Sequence, residues 1–193
     1  RVSVGYANII NSYFNDNYAN RGGDMIFDGN GNVVNCSFYN SHSAEGGSIY
    51  QYGGTVTITN SSFDGVYATN GALTISNSTF NSTYSLSGEG GAVVTRNANL
   101  ALTITNSNFT GISTNGHGTI RFDATNALIV TNCNFIKNSV TGNNVGAGIY
   151  IARSTNANNK ISGCNFINNT NGRGVVYLDG FANIYNCNFT DNI

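Results

Sequence analysis

The tetrapeptide Asn132-Cys133-Asn134-Phe135 is written eight times along the chain with small changes, and its recurrence decides the fold. Successive phenylalanines of the eight copies lie 24, 25, 17, 29, 26, 31 and 23 residues apart. A unit that recurs every ~20 to 50 residues is typical of solenoids, arrays and propellers, in which each repeat is one structural unit. The phenylalanines are Phe14, Phe38, Phe63, Phe80, Phe109, Phe135, Phe166 and Phe189.

Two further segments in each repeat predict strands. Apolar and polar residues alternate from Val56 to Thr59, directly before the Asn60 copy, which is typical of a strand with one buried face. A glycine pair opens the other segment, as in Gly46-Gly47-Ser48-Ile49, and only five to ten polar residues separate the phenylalanine from these glycines. That spacing leaves no room for a crossover helix. We therefore predict an all-β, right-handed parallel β-helix of about eight coils of roughly 25 residues each.

Two other repeat folds fit the period less well. Leucine-rich repeats share it but need a leucine pattern that this chain lacks, and propeller blades need about 40 residues or more. Residues 1–193 are predicted to form a single β-helix segment, taken from a longer repeat protein, because both ends fall inside a repeat.

Stacked coils predict ladders of equivalent side chains about 4.8 Å apart. The phenylalanines are predicted to form the core, with ring stacked on ring. Asparagine suits the corner before each phenylalanine strand because it tolerates the left-handed backbone region, and the corner amides are predicted to hydrogen-bond from coil to coil. The corner asparagines are Asn11, Asn35, Asn60, Asn77, Asn106, Asn132 and Asn186, with Gly163 in the variant copy.

The residue after the corner is a serine or a cysteine and is predicted to point inward. The cysteines are Cys36, Cys133, Cys164 and Cys187. A disulfide between the stacked thiols of neighbouring coils is one interpretation, because a Cα separation of about 4.8 Å lies inside the range that a disulfide allows. Small core residues are the favoured interpretation, since serine is the usual substitute. A zinc site is disfavoured because the ligands would be collinear.

One coil departs from the pattern. Most coils have 13 to 17 residues from the leading glycine to the corner asparagine, whereas Gly71 and Asn77 are six residues apart. We predict that the coil between Phe63 and Phe80 has lost roughly one side, and that it forms either a local narrowing or a strand that serves two sides.

The composition limits the classes of partner. Charged residues make up 9% of the chain and the net charge is −1, which gives no electrostatic basis for binding nucleic acid or an anionic membrane surface. No apolar run approaches the about 18 residues of a membrane span, so no membrane insertion is expected of this segment. The 11 phenylalanines and 11 tyrosines, placed at regular intervals, argue against disorder.

The strongest candidates for chemistry are Asp123, Arg153 and Asp179, which alignment of the glycine-led segments places in one column on consecutive coils. Two carboxylates that flank an arginine could support hydrolysis or bind a sugar acid. A charge ladder that relieves repulsion between coils is the favoured interpretation, because no further acid, histidine or lysine joins the column. No cofactor is predicted.

No metal site is predicted either. His42 and His117 have no cysteine, histidine or acid at metal-ligand spacing and are expected to be solvated. The stretch Asp28-Gly29-Asn30-Gly31-Asn32 begins like a calcium loop, but Val33 stands where glycine is required.

Two sets of surface residues could contact other molecules. Candidate glycosylation sequons, some of which are simply corner asparagines, begin at Asn35, Asn60, Asn77, Asn81, Asn108, Asn168 and Asn188. Tyrosines at outward-facing or loop positions form either a face for partners or an ordinary surface, and these are Tyr18, Tyr39, Tyr67, Tyr84 and Tyr185.

Two short motifs carry a family resemblance. Gly90-Gly91-Ala92-Val93 is similar to a Gly-Gly-Ala-Ile motif, and Phe135 to Asn138 and Phe166 to Asn169 fit a Phe-x-x-Asn motif. With these motifs the repeat resembles the adhesin-like surface proteins of methanogenic archaea and the chlamydial polymorphic outer-membrane proteins. The match is partial, because the asparagine is missing after Phe38, Phe63, Phe80 and Phe109. The resemblance implies a surface-exposed or secreted adhesive or structural stalk, and it carries over no catalytic residues.

We therefore expect a non-enzymatic extracellular or cell-surface module that presents loops to a host, cell or glycan partner. Its other partners are expected to be further coils of the same protein, or copies of itself stacked end to end. The alternative is a polysaccharide lyase or hydrolase of the pectate-lyase-like β-helix type, and it depends on Asp123, Arg153 and Asp179 alone.

Overall fold

The computed structural model describes residues 1–3, 5–81, 91–141, 146–170 and 173–193. Within these ranges the chain forms short strands joined by corners and loops, and no helix. In chain order the strands are β1 Tyr6–Ile10, β2 Tyr13–Asn15, β3 Tyr18–Arg21, β4 Met25–Phe27, β5 Asn30–Val34, β6 Ser37–Tyr39, β7 His42–Glu45, β8 Ile49–Gln51, β9 Thr55–Thr59, β10 Ser62–Phe63, β11 Val66–Ser76, β12 Thr79–Asn81, β13 Val93–Thr105, β14 Asn108–Thr110, β15 Ser113–Thr114, β16 Ile120–Ala124, β17 Leu128–Thr131, β18 Asn134–Ile136, β19 Ser139–Val140, β20 Ile149–Ala152, β21 Lys160–Ser162, β22 Asn165–Ile167, β23 Val176–Asp179, β24 Asn183–Tyr185 and β25 Asn188–Thr190.

Most of the strands form a three-sided parallel β-helix, and β3 with β7 and β15 with β19 form two further parallel pairs. The glycine-led first side contains β4, β8, the start of β11 and of β13, β16, β20 and β23. The second side contains β1, β5, β9, the end of β11 and of β13, β17, β21 and β24. The third, phenylalanine-bearing side contains β2, β6, β10, β12, β14, β18, β22 and β25. Every pair is parallel and joins equivalent strands of neighbouring turns, as predicted.

The third side has one strand in each turn, so its strands give the number of turns, and it contains the core ladder. Its eight strands correspond to six interior turns and one terminal turn at each end, close to the predicted number of coils. All seven steps between neighbouring phenylalanine rings are stacked, with ring centroids 4.6–5.6 Å apart. The predicted phenylalanine ladder is therefore confirmed.

The corner before each phenylalanine strand adopts the left-handed backbone conformation, as predicted. The seven corner asparagines have φ between 49° and 54°, and Gly163 has φ 62°. Glycine replaces asparagine at the one variant corner because it adopts this conformation without a side-chain clash. A second left-handed position, which the sequence analysis did not identify, lies two residues after most of the phenylalanines, as at Lys137 with φ 55° and Asn168 with φ 54°.

The amide ladder is present, but mostly at positions other than the corners. Among the described corners a single step has the predicted contact, in which Asn35 Nδ2 donates to Asn11 Oδ1 at 2.7 Å. A longer run of amides lies directly before the phenylalanines. There Asn134 donates to Asn108, and Asn165 donates to Asn134, each at 2.8 Å.

A buried asparagine ladder accounts for the Phe-x-x-Asn motif. Asn138 and Asn169 are fully buried, although alternation would place polar residues outward. Asn138 Nδ2 donates to the Phe109 carbonyl at 3.0 Å, and its Oδ1 accepts the Ile112 N–H at 3.0 Å. Asn169 repeats both contacts one turn further on. Each side chain thus satisfies two backbone groups of the preceding turn, where a lost hydrogen bond would leave buried polar atoms unpaired.

The irregular turn keeps all three sides. Strand β11 runs from the first side to the second, because Val66 pairs with Ile49 of β8 and Ala72 pairs with Thr55 of β9. The prediction that one strand serves two sides is confirmed. The prediction that the turn has lost a side is wrong.

The residues that the irregular turn lacks belong to the loop after the phenylalanine strand. Two residues, Asp64 and Gly65, separate Phe63 from Val66, whereas ten separate Phe38 from Ile49. Gly65 therefore takes the place of the leading glycines, and its carbonyl accepts the Ile49 N–H at 3.1 Å. Gly71 stacks instead on Gly54, at the corner between the first and second sides.

Serine and cysteine replace each other along one inner column because both satisfy the same backbone group. Ser61 Oγ donates to the Thr59 carbonyl at 2.9 Å, and Cys133 Sγ donates to the Thr131 carbonyl at 3.3 Å, each two residues back. All four cysteines are free. The favoured interpretation, small core residues, is consistent with this geometry.

Candidate functional site

The predicted acidic candidate Asp123 lies near the end of β16 as part of an ion cluster. It is 7% exposed, and its Oδ2 accepts a hydrogen bond from the Arg153 guanidinium at 3.0 Å. The Arg121 guanidinium lies 3.5 Å from the same oxygen. The backbone N–H of Asp123 donates to Thr95 Oγ1 at 3.0 Å. Asp123 is thereby held between two cations rather than displayed to solvent.

The predicted column of three charges is wrong by one residue. The strand register pairs Ala152, not Arg153, with Asp179. Arg153 follows β20 in the left-handed conformation, with φ 51°, and reaches back to Asp123 from that position. Asp179 is exposed, and among the described residues it has no hydrogen bond or ion pair with either group. The structure thus brings Asp123 and Arg153 together and leaves Asp179 apart.

A notch that sequence reasoning missed lies where the loop after Phe63 is shortest. It has a volume of about 220 Å³ and is open to solvent. Its position follows from the two-residue connection, which leaves a gap beside the longer loop of the preceding turn. Its lining residues are Phe38, Tyr39, Asn40, Ser41, His42, Ser62, Phe63, Asp64 and Asn81.

Two half-buried carboxylates lie at and beneath this notch. Asp64 Oδ2 accepts the Ser41 N–H at 2.7 Å, and Asp24 Oδ1 accepts from Ser41 Oγ at 3.0 Å and from Asn17 Nδ2 at 2.6 Å. The other oxygen of Asp24 is buried without a hydrogen-bond partner. Burial raises the pKa of both carboxyl groups, and the charge of Asp64 raises that of Asp24 further. Raised carboxyl pKa values in a cleft are typical of general acids, and structural ion-pair networks also shift carboxyl pKa values.

The histidines are less solvated than predicted. His42 is half-buried beside the notch, with its ring Nε2 3.2 Å from Asn40 Oδ1. His117 is half-buried and stacks on Tyr150, with ring centroids 5.5 Å apart. Asp28, the first residue of the rejected calcium loop, forms an ion pair with Arg1 at 2.6 Å. The described parts of the chain contain no group of three or more histidine, cysteine or acidic residues that could hold a metal ion.

The predicted surface residues divide into exposed and buried ones. All seven sequon asparagines are exposed, and their glycosylation stays a prediction. Tyr18, Tyr39 and Tyr185 are 81%, 64% and 43% exposed. Tyr67 is wrong as a surface candidate, because it is buried and stacks on Tyr50 at 5.3 Å. Tyr84 lies outside the described residues.

A second pocket lies on the outer face of the first side. It has a volume of about 270 Å³ and is lined by Arg1, Arg21, Ile26, Asp28, Tyr50 and Tyr52. The Arg21 guanidinium lies 5.2 Å from the Tyr50 ring centroid and forms an ion pair with Glu45. The charged and aromatic side chains that line this pocket therefore already contact other side chains of the protein.

No helix in the described residues is long and apolar enough to cross a membrane.

Stacked parallel turns with internal ladders define a β-helix repeat protein. Residues 54–193 match the family model described as a right handed beta helix region, which covers well over half of the chain. The chain therefore belongs to this family, and the predicted right-handed coil is confirmed. A comparison with curated proteins found no match.

Proposed function

We propose that this chain is a non-enzymatic structural and adhesive β-helix segment of an extracellular or cell-surface protein. The observation that carries the proposal is the unbroken stack of the third side, with seven successive ring contacts from Phe14 to Phe189. Such a core makes each turn depend on its neighbours and produces a rod from which loops project. The Gly-Gly-Ala-Val and Phe-x-x-Asn motifs, which resemble those of adhesin-like surface proteins, are in keeping with the same role.

The surface best suited to adhesion lies on the first two turns. Tyr13, Tyr18 and Tyr39 are 68%, 81% and 64% exposed. Tyrosine combines a large apolar ring with a hydroxyl group and is enriched at protein interfaces. We therefore place the contact with a glycan or a cell-surface protein on this tyrosine cluster.

Binding of the chain to intact cells, matrix proteins and a glycan array tests the proposal. Replacing Tyr13, Tyr18 and Tyr39 together by serine should weaken binding about a hundredfold, because three aromatic anchors of ~1 kcal/mol each contribute ~3 kcal/mol. A matched variant with Tyr52→Ser and Tyr185→Ser, at exposed positions elsewhere, should bind like the parent chain. Robust turnover of a polysaccharide without any adhesion would overturn the proposal.

The alternative function is a polysaccharide lyase or hydrolase. The notch is a better place for its active site than the predicted residues Asp123, Arg153 and Asp179. Asp64 and His42 line an open cleft, with Asp24 beneath. Release of reducing or unsaturated ends from acidic polysaccharides tests this alternative. Activity that Asp64→Asn abolishes and Asp123→Ala leaves intact would place an enzyme at the notch. The absence of turnover by the parent chain on such substrates would remove the alternative.

A further inference from the structure

Three thiols lie in one column on the last three turns. Cys133, Cys164 and Cys187 each precede an asparagine, and those asparagines pair in register across strands β18, β22 and β25. Each sulfur donates to the carbonyl two residues back, at 3.3–3.4 Å. Neighbouring equivalent residues of parallel strands are about 4.8 Å apart, inside the Cα range for a disulfide.

The thiols differ in their exposure to solvent, and therefore in their accessibility to reagents. Cys133 and Cys164 are fully buried, whereas Cys187 is partly exposed. Cys36 is also buried, but its neighbours in the column are Ser12 and Ser61, so no second thiol adjoins it. A reagent in solution can therefore attack the column at Cys187 first, and the adjacent thiol in register with Cys187 is Cys164.

The contact between the two buried thiols shifts their pKa values in opposite directions. The contact with Cys164, together with burial, raises the pKa of the Cys133 thiol. The same contact lowers the pKa of the Cys164 thiol, against the opposing effect of burial. Of the two buried thiols, Cys164 is therefore the one more readily deprotonated, and a deprotonated thiol is the form that attacks a disulfide.

We propose that Cys164 and Cys187 are a redox-modifiable pair, which a small-molecule disulfide converts into a covalent bond between the last two turns. Cys36 and Cys133 remain thiols. The inference is independent of the proposed adhesive function, because it follows from the arrangement of the column alone.

The reaction balances with oxidised glutathione as the oxidant. The Cys187 thiolate attacks one glutathione sulfur, a mixed disulfide forms, and one glutathione thiolate leaves. The Cys164 thiolate then attacks the Cys187 sulfur, and the second glutathione thiolate leaves as the Cys164–Cys187 bond forms. Two protein thiols are oxidised, one disulfide is reduced, and the two protons lost by the cysteines are taken up by glutathione. Burial raises the pKa of Cys187, so the first exchange should accelerate as the pH is raised.

The experiment treats the reduced, folded chain with oxidised glutathione, traps the remaining thiols by alkylation and identifies the peptides by mass spectrometry. The expected result is the loss of two of the four thiols, a peptide that joins Cys164 to Cys187, and no retained glutathione. Proteolysis after residue 164 should be slower in the oxidised chain, and reduction should restore the original rate.

Three serine variants separate the steps, and serine already occupies this column at Ser61, where it donates to the same carbonyl. Cys164→Ser should leave glutathione attached to Cys187. Cys187→Ser should leave every remaining thiol reduced, which keeps the test usable if the other variant does not fold. Cys36→Ser is the matched control and should form the same cross-link as the parent chain. Persistent glutathione on Cys187 of the parent chain, a Cys133–Cys164 bond, a bond between chains, or four unreacted thiols would each overturn the proposal.

Discussion

At the scale of single residues, the corner before each phenylalanine strand imposes the strictest backbone requirement. The chain turns there from the second side to the third, and a left-handed conformation costs most side chains roughly 1–2 kcal/mol. Asparagine and glycine meet this requirement, which is why Gly163 can replace the repeat's usual asparagine. The requirement is conformational, because the amide contact from corner to corner occurs at Asn35 and Asn11 and does not continue along the column.

The corner therefore predicts an unequal response to substitution. Asn132→Val should lower the free energy of unfolding by about 1–2 kcal/mol, because a β-branched residue is strained at positive φ. Asn132→Gly should cost less than about 1 kcal/mol. Denaturant unfolding measures both changes, with Thr103→Val in the neighbouring strand as the control. Equal losses for valine and glycine would show that the amide, not the backbone, matters at this corner.

The two kinds of asparagine ladder should differ in strength. Asn138→Ala removes the partners of a buried carbonyl and a buried N–H, so it should lower the free energy of unfolding by about 2–5 kcal/mol. Asn165→Ala, in the half-buried outer ladder, should cost about 1 kcal/mol or less, since water can replace the lost contact. Urea titrations of the two variants compare them directly. A larger loss for Asn165→Ala would contradict this assignment.

At the scale of the elements, sequence periodicity predicts strands well and connections poorly. Val56 to Phe63 alternates, and its buried and exposed residues follow that alternation through the corner. The first-side strand at Val66 was missed because its connection shrinks to Asp64 and Gly65, which hides the leading glycine.

Contacts of residues that lie outside the alternating strands, in corners and loops, were also not predictable from the sequence. Arg153 lies in a left-handed position that shifts the alignment by one residue, so counting from the leading glycine misplaced it. The notch was missed for a related reason. Asp24 and Asp64 lie on different turns, and Ser41 of the turn between them donates to both.

For an insertion, its position in a loop or in a strand should affect stability more than the number of inserted residues does. An insertion of eight glycine and serine residues between Asp64 and Gly65 should change the free energy of unfolding by only about 1 kcal/mol, because loop closure depends weakly on length. One residue inserted between Thr57 and Ile58 should prevent cooperative folding, because a one-residue slip exchanges the buried and exposed faces. Circular dichroism during thermal unfolding distinguishes the outcomes. Unfolding of the long insertion variant would show that the short connection is required.

At the scale of the whole molecule, stability is the sum of contacts between neighbouring turns. An interior turn packs on both sides, and a terminal turn packs on one. The difference is visible in the phenylalanine ladder, where Phe109 is fully buried and Phe189 is 49% exposed. The same substitution should therefore have different effects along the axis.

Alanine substitution of Phe109, in an interior turn, and of Phe189, in the last turn, measures the difference in packing between these turns. Phe109→Ala should destabilise the chain by about 3–5 kcal/mol, because it leaves a cavity between two packed turns. Phe189→Ala should cost less than half as much, since its ring is already partly in water. Denaturant unfolding followed by tyrosine fluorescence compares the variants. Equal losses would mean that the last turn is as tightly packed as the interior.

The terminal turns also predict self-association of the 193-residue polypeptide. The strands of the first and last turns each pair on one edge, and unpaired edges with little net charge are templates for further pairing. Sedimentation should show assembly that increases with concentration. Lysine at the exposed positions Asn183 and Thr190 should reduce it, while Tyr52→Ser should not. A clean monomer at high concentration would defeat this expectation.

The unequal turns have a consequence for how loops are displayed. The turn from Phe63 to Phe80 uses 17 residues and that from Phe135 to Phe166 uses 31, yet each adds one strand spacing of about 4.8 Å along the axis. The position of a loop along the helix axis therefore depends on the number of repeats that precede it. The distance that the loop extends from the axis depends on its own length. A duplicated repeat would raise every later loop by one step without changing its reach, and a lengthened loop would extend outward at unchanged height.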